Sequence, residues 1–143
     1  LKFGLDNLTV SSNQQVDFFS DDKAENVKGG QLILKLINDF PISGRIKMVF
    51  KDEMESEVFT LFNGENYEMT AAEIDPQTGK TTTPTESELV ATITKGQANQ
   101  LSNIRSVDLS VILNTEDAKR YLMFSDYTIK ANLITDFIYE NSL

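Results

Sequence analysis

A chain of 143 residues has the length of one domain, and at that size about 68–70% of the unfolded surface is buried, enough for one apolar core. It has no histidine and no cysteine and a formal charge of −9. That removes Ser-His-Asp and Cys-His catalysis and any disulfide staple, and it argues against nucleic acid, whose phosphates demand clustered lysine and arginine.

The chain opens with Phe3, Leu5, Leu8 and Val10, a first strand whose alternation slips by one at Asp6-Asn7, as a bulge would produce. Val16-Asp17-Phe18-Phe19 is a second short strand, and Ser20 to Gly30 is polar enough to be a loop. The strongest pattern follows. Leu32, Leu34 and Leu36 share one face, and after Asn38-Asp39-Phe40-Pro41 come Ile46, Met48 and Phe50. Asp52-Glu53-Met54-Glu55 turns the chain into Glu57–Phe62, and Asn63-Gly64, a strong hairpin signal, turns it again into Tyr67–Ile74. Asp75 to Gly79 is a further turn, and Leu89, Ala91 and Ile93 begin another strand. Thr94-Lys95-Gly96-Gln97 has capping-box spacing, with Ala98, Leu101 and Ile104 placed to line one face of about two helical turns. Val107, Leu109, Val111 and Leu113 alternate cleanly, and a last strand runs from Tyr127 to Tyr139.

Strand starts recur about every 11 residues, and the helices that a parallel sheet needs between strands are missing. The expected fold is therefore all-β: an immunoglobulin-like antiparallel sandwich of seven to nine strands with one short crossover helix. Residues 1–143 read as a single domain, with 1–30 as leading strands and loop and 31–143 as the core of the sandwich. No stretch approaches the roughly 18 apolar residues of a membrane-spanning helix.

The stretch from Asn38-Asp39-Phe40-Pro41 through Phe50-Lys51-Asp52, together with Asn114-Thr115, Tyr121 and Ser125-Asp126-Tyr127, resembles a family of uncharacterised Bacteroidota cell-envelope lipoproteins. In those β-sandwich domains an N-x-F-P motif precedes a strand and S-D-Y opens the closing one. The resemblance implies a Gram-negative envelope location, associated with the outer membrane, and no known activity. Such proteins usually carry D-E-N-G where this chain has Asp52-Glu53-Met54-Glu55, and they carry lipid on an N-terminal cysteine that this chain lacks. The expectation that follows is the C-terminal part of a longer protein. Asn38, Phe40, Pro41, Asp126 and Tyr127 are then structural: proline fixes φ and pushes Phe40 toward an extended conformation, so that the chain leaves one strand for the next sheet.

Chemistry has few footholds. Paired carboxylates such as Glu53/Glu55 and Glu73/Asp75 are the raw material of a glycosidase, but sugar-stacking tryptophan is absent and no serine sits in a nucleophile elbow. Asp52, Glu53 and Glu55, or Asp21, Asp22 and Glu25, could give calcium three oxygen ligands; the plainer account is solvated charge at hairpin tips. Tyr67 and Tyr121 are candidate platforms for a glycan, against the commoner half-buried tyrosine of a sandwich. Ile33, Ile37, Val49 and Ile112, set among polar residues, are a candidate docking face. The expectation is a non-catalytic envelope module with a protein partner and no cofactor. A glycan-binding accessory of a nutrient-uptake system and a calcium-dependent adhesion module are the alternatives.

Overall fold

A computed structural model describes residues 9–19, 26–63, 67–114 and 126–139. Among them are eight strands and one short helix: β1 (Thr9–Gln15), β2 (Val27–Asn38), β3 (Gly44–Lys51), β4 (Glu57–Leu61), β5 (Glu68–Met69), β6 (Thr85–Ile93), α1 (Lys95–Gln100), β7 (Ser106–Leu113) and β8 (Ile129–Tyr139). They form two antiparallel sheets, one ordered β1-β7-β3-β4 with β5 also on β3, the other β6-β2-β8. This is the all-β sandwich that the alternation predicts.

Period-two patterning decides what lies between the sheets. Leu32, Leu34 and Leu36 of β2 are at most 1% exposed and face Ile46, Met48 and Phe50 of β3 and Val107, Val111 and Leu113 of β7 across the core. Helix α1 closes one end of that core. The Thr94 hydroxyl accepts from the Gln97 amide, the Gln97 side chain accepts from the Thr94 amide, and Ala98, Leu101 and Ile104 are fully buried. A helix this short has little stability of its own, so the cap matters. Thr94→Ala is expected to cost about 1 kcal/mol in urea unfolding at unchanged slope.

Four local expectations change. The paired stretch near the N-terminus is Thr9–Gln15, and Val16–Phe19 is not a strand. The Val16 amide donates to the Arg105 carbonyl, after which Phe18 and Phe19 turn against Phe50 and Phe137. All seven residues of β1 are exposed, so side-chain hydrophobicity carried no trace of it; backbone pairing to β7 holds it. Residues 1–8, with the expected slip at Asp6-Asn7, lie outside the described residues. Val27 to Gly30, expected as loop, begins β2. At Gly30, with φ +154°, a Cβ would strike the Asp136 carbonyl oxygen and the Phe137 backbone, so only glycine lets β8 approach there.

The Asn63-Gly64 hairpin does not form as expected. β4 and β5 do not pair with each other but lie one after the other along one edge of β3, opposite Met48–Lys51 and Gly44–Arg45. Phe62, buried at 2% with φ 53°, ends β4 by dropping its ring into the core. Within Tyr67–Ile74 only Glu68 and Met69 join the ladder, and Ala72 and Ile74 are tied singly, to Phe40 and Thr81. Finally, the four residues read as one docking face divide between opposite faces of the sandwich: Ile33 and Ile37 lie on β2, Val49 on β3 and Ile112 on β7.

Candidate functional site

The two motifs that carry the family resemblance meet at one end of the sandwich. Asn38 is fully buried; its side-chain amide donates to the Ile42 and Thr70 carbonyls at 3.1 and 3.0 Å, and its oxygen accepts from the Phe40 amide at 2.9 Å. Pro41 is buried beside it. The Phe40 ring lies edge-on to Tyr127 at 5.7 Å, and the Tyr127 hydroxyl accepts from the Thr81 amide. Asp39 clasps the start of β8: its amide donates to the Thr128 carbonyl, and its carboxylate accepts from the Thr128 amide and hydroxyl. Asp126 stays exposed at the mouth of a polar recess of about 200 Å³. The contacts of Asn38 to Thr70, Phe40 to Tyr127, Tyr127 to Thr81 and Asp39 to Thr128 join stretches of chain distant in sequence, which is the geometry of a fold-closing clasp.

The other candidates are dispersed. Asp52 accepts from the Met54 and Ser56 amides through one carboxylate oxygen, so it closes the β3–β4 turn while Glu53 and Glu55 point to solvent. Among the described residues no group of three acidic side chains is placed to hold a metal ion. Tyr67 is half-buried, edge-on to Phe62 at 5.3 Å. Tyr121, Asp21, Asp22 and Glu25 lie outside the described residues.

A concavity between β1 and β8 was not foreseen from the sequence. Among the described residues one sheet has more strands than the other, and a cleft lies between β1 and β8. The opening holds about 550 Å³, within the usual range for ligand-binding clefts. Its floor is Leu34, Met48, Val107, Leu109 and Leu133, and its rim carries Ser12, Gln14, Asp17 and Asn132. Register explains the polar rim: Ser12 and Gln14 sit opposite Leu109 and Val107 in the β1–β7 ladder, in the phase that faces the other sheet. On β8 the matching phase is Ala131, Leu133, Thr135 and Phe137, opposite Leu36, Leu34, Leu32 and Gly30. None of β8's eleven residues is fully buried. An inward face that stays wet on both flanking strands is what marks this edge as incomplete.

β1 is fastened to the rest through Asp108 of β7, which accepts from the Asn13 side chain and pairs with Lys51. The bond from Lys51 foremost, and that from Asn13 next, hold the Asp108 carboxyl below the usual carboxylate range. The same bond raises the Lys51 ammonium above its ordinary value. A depressed carboxyl contributes stability above its unfolded pKa and loses it as pH falls through the folded value. A raised ammonium contributes below its unfolded pKa and loses it as pH rises through the folded one. Both contributions are present between about pH 4 and pH 10. The stability gap between wild type and Asp108→Asn is therefore expected to be small at neutral pH, to shrink with added salt, and to close in urea titrations as pH falls below the ordinary carboxylate range.

No protein-family profile matches the sequence, and no curated protein does. Among solved structures the chain is similar to a protein of Parabacteroides distasonis ATCC 8503 described provisionally as secreted, at 21% identity and a TM-score of 0.44. The match covers 74% of this chain and 30% of that one, so the chain spans less than a third of the structure it resembles. No helix among the described residues is long and apolar enough to cross a membrane.

Proposed function

We propose that this chain is a non-catalytic binding module of a bacterial cell envelope, an immunoglobulin-like platform that meets a protein partner through the open side of its sandwich. The observation that carries the reading is the cleft between β1 and β8, where Leu109 and Leu133 stay half-buried above the buried Leu34, Met48 and Val107. Exposed apolar surface of this kind, rimmed by hydrogen-bonding groups, is characteristic of interaction sites. The absence of histidine and cysteine from the whole sequence and the dispersal of the described carboxylates favour binding over catalysis. The envelope location rests on the resemblance of Asn38–Pro41 and Ser125–Tyr127 to lipoprotein sandwich domains.

The test is affinity capture from solubilised envelope of the source organism, with tagged wild type beside Ser12→Arg. The substitution puts a long charged side chain across the cleft mouth from an exposed strand position and leaves the core untouched. Stoichiometric recovery of one envelope protein by wild type, lost with Ser12→Arg but kept with Arg45→Ser on an exposed position of β3, is the expected result. Equal recovery by all three would place the interface elsewhere. Recovery of nothing would sink the reading.

A further inference from the structure

On the reading that the cleft is the binding site, we propose that its occupant is one extended segment of a partner polypeptide, neutral or basic in charge, added as a strand to the free edge of β8. Three observations converge on this. First, among the described residues β8 pairs only with β2, so the backbone donors and acceptors along its other edge have no ladder partner. An unpaired edge is a template for a further strand, with main-chain bonds supplying affinity and alternate side chains supplying selectivity.

Second, the free edge of β8 borders the cleft. A further strand in the β6-β2-β8 sheet would lie about 4.8 Å beyond β8, on the side where β8 and β1 line the cleft together. That is where Ser12 and Gln14 face upward with nothing described over them. A strand placed there would direct every second side chain onto Leu109, Val107 and Leu133. A second copy of this chain, which carries the same charge of −9, is disfavoured as the source of that strand.

Third, charge narrows the chemistry. Among the described residues no lysine or arginine lines the cleft and Asp17 is its one charged lining residue, and the chain as a whole carries −9. An acidic segment is repelled; a neutral or basic one with apolar residues at alternate positions is accepted.

The experiment uses the full chain and a labelled peptide of alternating valine and threonine, lysine-capped, about eight residues long, followed by fluorescence anisotropy. A second peptide has the same side chains but methylated central amide nitrogens, which removes main-chain donors while keeping the apolar face. The expected result is saturable binding of the first peptide, weakened by on the order of tenfold or more both by amide methylation and by Ser12→Arg. Equal binding of the methylated peptide would overturn strand addition and leave the cleft as an ordinary apolar site, so failure here is distinct from failure of the capture test. Binding only after Phe3→Asp and Leu5→Asp would overturn the partner assignment in favour of the chain's own first residues. No binding at millimolar peptide by either protein would also overturn it.

Discussion

Phe50→Ala is expected to remove about 3–5 kcal/mol of unfolding free energy, the cost of deleting a fully buried phenylalanine whose surroundings close only partly. Phe50 is completely buried, stacked on Phe59 at 4.7 Å and tilted against Phe18 at 6.1 Å. It lies opposite Phe59 on β4 and Val107 on β7, so its ring holds three strands at one level of the core. Phe18 is also a lining residue of the cleft. The variant should therefore loosen the β1 side first, and amide exchange in β1 and its register partners should rise more than in β2. Urea unfolding at constant slope measures the main effect. A loss below about 1 kcal/mol would mean that the core collapses into the vacated space and that the ring is not a keystone.

Asn38→Ala is the second large effect, about 2–4 kcal/mol, and its origin is polar. Three hydrogen bonds end on one fully buried side chain, and all three partners are backbone groups: the carbonyls of Ile42 and Thr70 and the amide of Phe40. Removing the amide leaves those groups without their bonds in the low-dielectric interior, where an unmade bond costs about 1–3 kcal/mol per buried group. Asn38→Asp separates this from simple packing, because an ionised carboxylate keeps the shape and the acceptor but loses both donors. Its deficit relative to wild type should narrow as pH falls and protonation returns one donor, since burial raises that carboxyl above its unfolded value. A variant as stable as wild type at pH 7 would contradict the clasp.

Part of this was readable in advance, for identifiable reasons. The inward phase of Leu32, Leu34 and Leu36 follows from alternation alone, because a strand with one buried face must repeat every two residues. The end cap at Thr94 and Gln97 is a contact between neighbours in sequence, so spacing was enough to find it. The motif around Asn38 and Phe40 could be picked out in the sequence, but that Phe40 would meet Tyr127 could not, since nothing in local spacing brings residues so far apart together. The tip at Asn63 misled because turn chemistry reports that a chain turns, and the identity of the strand it then pairs with depends on which edge is open.

The amino-acid sequence by itself determined the sandwich class, the phase of the core strands, the position of the short helix and the exclusion of histidine and cysteine chemistry. These rest on side-chain type and local period, which are properties of a linear string. The tertiary structure alone decided that Thr9–Gln15 is a strand at all, that it pairs with β7, and that Leu109 and Leu133 line a cleft of about 550 Å³. The reason is that an edge strand is held by main-chain hydrogen bonds that every residue but proline can make. Which edge stays open is set by the register of strands distant in sequence.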